Sequence, residues 1–206
     1  MVRIAIGVLF GILFGSTYAE TNFEEGKHYE RIIPEVATHT DGKVEVVEVF
    51  WYGCHHCFNF EPYLNKWIPS LPDEVVFRRM PAIFAENWKP HSRAFYTAEA
   101  IGVLDKIHAP LFEAMHEQNR KIRDVESLGR FFSEQGISEE TFQETYNSFT
   151  VDNKTRQAEI LSRKYGISGV PSVIVDGRYR TSARLTGGYE KMLKVIDHLI
   201  SLQSSR

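Results

Sequence analysis

Cysteine is scarce in this sequence, with only Cys54 and Cys57 among 206 residues. A small secreted domain held together by disulfides carries four, six or eight cysteines, so such a scaffold is excluded. The sequence also lacks a basic run after residue 20, and its formal net charge is −3. Nucleic acid is therefore not expected as a partner, because a protein that follows a phosphate backbone needs clustered basic residues.

The N-terminus lacks an apolar run of transmembrane length. The run Ile4–Gly15 follows Arg3 and precedes small residues that end at Ala19, whereas a spanning helix needs about 20 apolar residues. These features predict a secretory signal peptide over residues 1–19, cleaved after Ala19. The alternative is an uncleaved anchor, because glycines in a GxxxGxxxG series can pack a transmembrane helix. Export would place the chain where disulfides persist.

What is present is an ordinary globular composition, with 43% hydrophobic and 25% charged residues. Apolar runs and alternation predict strands, and apolar residues at helical spacing predict helices. The predicted order is βαβ, then a block of helices, then αββα. The predicted elements are an edge strand in "HYERI", a buried strand Val44–Tyr52, a helix from Cys54, a strand Val75–Met80, four or five helices between residues 90 and 165, a hairpin around Asp176-Gly177, and a helix from Gly188 to Leu202.

The two cysteines in "GCHHC" allow three interpretations. A structural disulfide closing so small a loop would restrain little of the unfolded chain. A zinc site needs about four ligands, and the sequence has no second CxxC pair. Four histidines scattered singly along the chain are expected at the surface or at helix caps rather than as ligands: His91, His108, His116 and His198. The favoured interpretation is a redox pair without a metal, in which an exposed thiolate at Cys54 attacks and a shielded Cys57 resolves.

The residues around Cys54 are expected to stabilise its thiolate. A strand that ends before Gly53 and a helix that starts at Cys54 place the sulfur at a helix N-terminus, where backbone N–H groups favour negative charge. His55 and His56 can add to this effect, and His56 is the stronger candidate for tuning. A stabilised thiolate also stabilises the reduced form, which makes the disulfide an oxidant of other thiols.

These residues resemble the thioredoxin superfamily and, within it, the DsbA family of periplasmic thiol oxidases. The resemblance covers nearly all of the chain after residue 19, through "EEGKHYERI", "EVFWYGCHHCFNFEP", "SGVPSVIVDGRY" and the terminal helix. It implies an α/β thioredoxin fold with an inserted helical domain. The thioredoxin-like domain would comprise residues 20–89 and 166–206, and the insertion residues 90–165.

The resemblance also assigns roles to residues outside the cysteine pair. Val170 and Pro171 match a cis-proline site that faces the cysteines and pairs with an extended substrate, and the alternative is an ordinary trans proline. Glu48 matches an acidic residue that relays a proton to the buried cysteine. Glu61 and Arg79 match charged positions of the family, although a weak surface ion pair is an equally good interpretation.

Two positions depart from the family pattern. His55 stands where the family usually has proline, and Gly53 stands where an aromatic residue often precedes the first cysteine. The dipeptide between the cysteines tunes the potential, so the resemblance predicts an oxidant without fixing its strength. Pro62 matches the proline inside the first helix of thioredoxins.

The predicted function is a thiol:disulfide oxidoreductase that donates the Cys54–Cys57 disulfide to newly exported unfolded proteins. The resemblance implies a Gram-negative periplasm, a monomer, no cofactor besides the disulfide, and reoxidation by a DsbB-like, quinone-linked membrane protein. The alternatives are an isomerase or reductase on the same fold, and a non-catalytic periplasmic chaperone or binding module. Residues expected either to offer a surface for unfolded chains or to belong to the core are Trp51, Phe58, Phe84, Trp88 and Val170.

Overall fold

The computed structural model describes residues 22–204, and the predicted signal peptide lies outside the described residues. A mixed five-stranded sheet has the order β1-β5-β4-β2-β3. Only β2 and β3 are parallel to each other, while β2–β4, β4–β5 and β5–β1 are antiparallel. The strands are β1 Glu30–Arg31, β2 Val44–Phe50, β3 Val75–Pro81, β4 Ser172–Val175 and β5 Tyr179–Ser182.

The central strand β2 is buried along its whole length. Val47 and Val49 belong to a core cluster formed largely with the helices that follow β3, and Val44 and Val46 to a second cluster that includes the terminal helix. Helices thus cover both faces of β2, which explains why five of its seven residues are apolar. Two buried glutamates interrupt the apolar run, and the one at the centre of the strand, Glu48, pairs in register with Arg79 of β3.

Eight α-helices lie in the described part of the chain, and they account for about half of it. Five of them, α2–α6, follow one another between β3 and β4 over the block predicted as an insertion; the division of the chain at residues 90 and 165 stays a prediction. The helices are α1 His55–Trp67, α2 Lys89–Ala100, α3 Leu104–His116, α4 Val125–Glu134, α5 Glu139–Tyr146, α6 Phe149–Lys164, α7 Ala183–Thr186 and α8 Tyr189–Ser204.

Local signals place most element boundaries within two residues of the prediction. The hairpin between β4 and β5 turns through Asp176, Gly177 and Arg178. Asp176 and Gly177 both have positive φ (52° and 62°), a conformation that Asp and Gly tolerate in turns. The short helix α7 was not predicted, because four residues are too few to show an apolar period. Among residues 22–204, no helix has the length and apolarity that crossing a bilayer requires.

Candidate active site

Cys54 lies between the central strand and the first helix. It is the N-cap of α1, with extended backbone angles and no capping hydrogen bond from its side chain. Its carbonyl accepts the backbone N–H groups of Cys57 and Phe58, so the first helical turn is closed beneath it. The sulfur therefore sits at the end of the helix where unpaired N–H groups concentrate positive potential.

Both cysteines are free thiols in this structure, and their environments differ. Cys54 is half-buried, whereas Cys57 is buried. A hydrogen bond from the Cys57 thiol is the largest cause that lowers the pKa of Cys54 to about 6, against the opposing effect of burial. Burial, followed by the hydrogen bond to Cys54, raises the pKa of Cys57 well above the usual range. Cys54 is thus the thiolate and Cys57 the protonated partner.

The two histidines between the cysteines are both exposed but differ in their effect. The backbone N–H of His56 and its imidazole both help to lower the pKa of Cys54. His55 instead packs towards the insertion, with its ring centroid 5.5 Å from that of His116. The geometry therefore favours His56 as the tuning residue. Tyr189 of α8 holds this turn in place by donating its hydroxyl hydrogen to the His56 carbonyl at 3.0 Å.

The peptide bond between Val170 and Pro171 is cis, which confirms the expected conformation and excludes the trans alternative. The Cys54 sulfur lies 3.4 Å from the Val170 carbonyl oxygen, to which it donates a hydrogen bond when protonated, so the cis-proline turn faces the reactive sulfur. Beside it lies a cavity of about 490 Å³ whose walls include His56, Pro171 and Arg184. The site thus brings a reactive sulfur next to a cis-proline turn and a cavity.

A buried charged cluster lies on the α1 side of β2. Arg79 donates from Nε to Glu48 Oε2 at 3.1 Å and from Nη2 to Glu61 Oε2 at 3.0 Å. Glu48 is 0% exposed and Glu61 6%, so the weak surface pair considered for Glu61 and Arg79 is wrong. The three residues come from β2, α1 and β3, and the sheet and helix bring them together.

The pKa values of the two carboxyl groups in this cluster are shifted in opposite directions. Burial, with the charge of Glu61, raises the pKa of Glu48 to about 8. Burial acts in the same sense on Glu61, but the hydrogen bond and electrostatic effect of His108, followed by those of Arg79, outweigh it and hold the pKa of Glu61 below its usual value. Glu48 also helps to raise the pKa of Cys57, which places its charge within electrostatic reach of the resolving thiol.

The expected surface positions of the histidines are wrong for His91 and His108. His91 is 2% exposed and His108 6%. His91 hydrogen-bonds through Nε2 to the Ile122 carbonyl at 2.7 Å, and His108 contacts Glu61 at 3.2 Å. The signal that could have located His108 is its spacing from Ile107 and Leu111, which places it on the apolar face of α3.

The other two histidines are half-buried. His116 bonds to the Tyr52 carbonyl at 2.7 Å and stacks on Phe58 with centroids 5.3 Å apart. His198 packs against Phe23 at 5.5 Å. Within residues 22–204, no group of three or more His, Cys, Asp or Glu side chains is arranged to hold a metal ion.

The aromatic residues near Cys54 form a partly exposed surface. The Trp51 and Trp88 rings stack with centroids 4.1 Å apart and an interplanar angle of 4°. Phe84, which is 43% exposed, continues this surface at 5.1 Å from Trp88. A Cβ atom on Gly53 would lie 2.4 Å from the Trp51 ring. Gly53, unusual for the resembled family, thus leaves room for the tryptophan pair.

A dithiol at a helix N-terminus, opposite a cis-proline and on this sheet, defines a redox protein of the thioredoxin fold. A sequence model of the DSBA-like thioredoxin domain matches residues 73–192. The chain belongs to the DsbA family, and it is a protein thiol:disulfide oxidoreductase.

Relatives and solved structures agree with this assignment. The chain is 41% identical to the thiol:disulfide interchange protein DsbA of Pseudomonas syringae pv. tomato, over 93% of this chain and 88% of the relative. It is similar to the crystal structure of Pseudomonas aeruginosa DsbA, with a TM-score of 0.85, 38% identity, and 89% and 95% of the two chains covered. The oxidoreductase DsbA of Xylella fastidiosa has a TM-score of 0.81 at 30% identity, with 87% and 96% covered.

Proposed function

We propose that the protein donates the Cys54–Cys57 disulfide to newly exported unfolded proteins in the periplasm of a Gram-negative bacterium. The observation that carries this proposal is the opposite behaviour of the two thiols, since the pKa of Cys54 is lowered to about 6 and that of Cys57 is raised. A stabilised Cys54 thiolate favours the reduced enzyme, and the disulfide is correspondingly ready to be transferred.

The reaction begins when a substrate thiolate attacks the Cys54 sulfur. A substrate–Cys54 disulfide forms, the Cys54–Cys57 bond breaks, and Cys57 leaves with the electron pair. Because the pKa of Cys57 is raised by burial, this sulfur takes up a proton. A second substrate thiolate then attacks its own half of the mixed disulfide, and Cys54 leaves as a stable thiolate. Two electrons have passed to the enzyme, and the substrate has gained a disulfide.

Glu48 is the proposed source of the proton for Cys57. With a pKa raised to about 8, its carboxyl group is mostly protonated at neutral pH and can supply the leaving thiolate. On reoxidation the same carboxylate takes the proton back. The electrostatic effect of Glu48 on Cys57 supports a relay through Glu48 rather than through Glu61, whose pKa is lowered.

The substrate is proposed to lie along the cis-proline turn. The Val170 carbonyl is 3.4 Å from the Cys54 sulfur, so an extended chain joined to Cys54 passes within reach of the Val170 backbone. The cavity of about 490 Å³ beside it can receive neighbouring side chains of varied shape. Backbone pairing of this kind selects extended chains without selecting a sequence.

The remaining parts of the proposal concern partners and location. The chain would act as a monomer after cleavage following Ala19 and would need no cofactor besides its disulfide. Reoxidation would come from a DsbB-like membrane protein that passes electrons to quinone. These assignments rest on membership of the DsbA family and on the signal-like sequence at the N-terminus.

The test mixes the oxidised protein, purified from residue 20 onward, with a reduced and unfolded model protein that has two cysteines. We expect stoichiometric loss of substrate thiols with wild type and none with Cys54→Ser. Cys57→Ser should accumulate the mixed disulfide with substrate. Oxidation that persists in Cys54→Ser would remove the catalytic assignment and favour a binding module.

A redox titration separates the oxidase from the alternatives on the same fold. Wild type equilibrated with glutathione should be strongly oxidising. An equilibrium as reducing as that of thioredoxin would refute donation of the disulfide. Faster rearrangement of a scrambled substrate than oxidation of a reduced one would favour an isomerase.

A further inference from the structure

A chain of hydrogen bonds runs from the helical block to the strand below the dithiol. Tyr52 Oη is 2.9 Å from His108 Nδ1, and His108 Nε2 is 3.2 Å from Glu61 Oε1. Arg79 then joins Glu61 to Glu48 at 3.0 and 3.1 Å. All of these residues except Arg79 are buried. His108 is the only one of them that belongs to α2–α6, among residues 22–204.

The direction of each hydrogen bond follows from which groups hold protons. Burial raises the pKa of Tyr52 well above its usual value, so its hydroxyl group keeps its hydrogen and donates it to His108 Nδ1. Burial lowers the pKa of His108, so the ring is neutral and carries one N–H. That N–H is on Nε2 and points to Glu61, because Nδ1 is occupied as an acceptor.

The two carboxyl groups that share Arg79 are not equivalent. Glu61 accepts one hydrogen bond on each oxygen, from His108 and from Arg79. Glu48 accepts from Arg79 on Oε2, while its Oε1 has no partner among residues 22–204. One arginine faces two buried carboxyl groups, and like charges in such a site push a proton onto one of them. The group with fewer donors is the one that holds the proton.

We propose that His108 is a positioning residue that keeps Glu61 ionised and thereby leaves the exchangeable proton on Glu48. The inference deepens the proposed function, because it explains why the relay to Cys57 uses Glu48. It also assigns a part in the redox chemistry to a residue of α3, outside the strand and helix that carry the dithiol. His108 acts through Glu61 and Arg79 and touches neither sulfur.

The other charged and titratable groups near the His108 imidazole leave its neutral state and orientation unchanged. Asp105, one turn earlier on α3, adds a small effect on His108 that opposes the effect of Arg79. The remaining surroundings of the imidazole are apolar rings, with centroids 5.1 Å away for Phe50, 5.2 Å for Phe112 and 6.1 Å for Phe95. Within the described residues, Glu61 and Tyr52 are therefore the polar partners that fix its orientation.

The test measures the titration of the Glu48 carboxyl group by side-chain ¹³C NMR in the full mature protein, reduced as in this structure. His108→Leu removes the donor to Glu61, so Glu61 should bind a proton more readily. Glu48 should then lose its proton at lower pH, with about a tenfold increase in its acid dissociation constant, a fall in pKa of about 1. His108→Gln should restore most of the wild-type value, because its amide can still donate to Glu61.

His91→Leu is the matched control, because His91 is a similarly buried histidine of the helical block. Its side chain hydrogen-bonds to the Ile122 carbonyl and takes no part in the hydrogen bonds from Tyr52 to Glu48. It should leave the Glu48 titration unchanged even if it lowers stability. If His108→Leu does not fold, Tyr52→Phe tests the same point: loss of the hydroxyl donor frees Nδ1 to carry the hydrogen and weakens the donor to Glu61. Its expected effect has the same sign and is smaller.

The proposal is overturned if the Glu48 pKa is unchanged in a folded His108→Leu or Tyr52→Phe variant. It is also overturned if His91→Leu moves the Glu48 pKa by as much. Failure of the relay itself would look different. In that case Glu48→Gln would oxidise substrate at the wild-type rate, while the His108 variants would still shift the Glu48 titration.

Discussion

The hydrogen bond from the Cys57 thiol is the largest cause of the low pKa of Cys54, and it can be removed without touching the helix N-terminus. Cys57→Ala deletes the donor, whereas Cys57→Ser keeps a hydroxyl group in its place. Both variants lack the disulfide, so Cys54 is a free thiol in each. Any difference between their Cys54 titrations therefore reports the donor and not the loss of the bond.

The expected magnitude follows from the energy of a hydrogen bond to a charged group, about 1.5–3 kcal/mol. Each pKa unit corresponds to about 1.4 kcal/mol. Cys54 is only half-buried, and solvent screening reduces the effect to the lower end of this range. The pKa of Cys54 in the wild type is about 6. Loss of the donor in Cys57→Ala should raise this pKa by about one unit, to about 7. In Cys57→Ser the pKa should stay near the wild-type value.

The assay is the ultraviolet absorbance of the thiolate as a function of pH, with the rate of alkylation as an independent readout. At pH 7 a thiol with a pKa of about 6 is roughly nine-tenths ionised, against about 3% for an ordinary cysteine. Equal titrations of the two variants would refute the assignment to the Cys57 donor. If both stayed near the wild-type value, the backbone N–H groups of α1 would be the main cause.

Two further predictions concern the strand side of the site. Glu48 has a folded pKa of about 8 against an ordinary 4.5, so it favours folding below pH 4.5 and this contribution is lost as the pH rises to about 8. Oxidised Glu48→Gln should lack this loss in urea unfolding, and a pH dependence equal to that of wild type would contradict the argument. Gly53→Ala should push the Trp51 ring off Trp88, since its Cβ would lie 2.4 Å from Trp51, and should reduce the near-ultraviolet circular dichroism of the pair. Gly169→Ala is the control, because the added Cβ would meet no atom within 4 Å beyond its chain neighbours, and an unchanged spectrum in Gly53→Ala would exclude the proposed clash.

The parts of the fold predicted correctly from the sequence are those with a local cause. The strand Val44–Phe50 follows from an apolar β-branched run, and the turn at Asp176-Gly177 from residues that tolerate positive φ. The helix after Gly53 follows from apolar residues at helical spacing and from the glycine that ends the preceding apolar run. The cis bond at Pro171 is predictable because the surrounding sequence resembles a known family. Spacing alone allows a trans bond there.

The parts that were missed depend on contacts between distant segments. His108 meets Glu61 across 47 residues of sequence, and Tyr189 reaches His56 across 133. No local pattern links such pairs, because they meet only when α3 and α8 pack against α1. The sequence therefore predicts surface positions for single histidines on helices, although the apolar neighbours of His108 at helical spacing indicate the interior.

The opposite pKa shifts of Cys54 and Cys57 also determine how the oxidising strength of the disulfide varies with pH. The pKa of Cys54 is lowered from 9.0 to about 6, so the thiolate stabilises the reduced fold fully above pH 9. That stabilisation is lost as the pH falls through about 6. Cys57 stays protonated across this range because its pKa is raised, and it adds no opposing change. The advantage of this disulfide over an unperturbed dithiol, about 30 mV for each 1.4 kcal/mol, should therefore shrink as the surroundings acidify towards pH 6. A potential that kept a constant offset from that of glutathione across this range would show that the Cys54 thiolate is not the source of the oxidising strength.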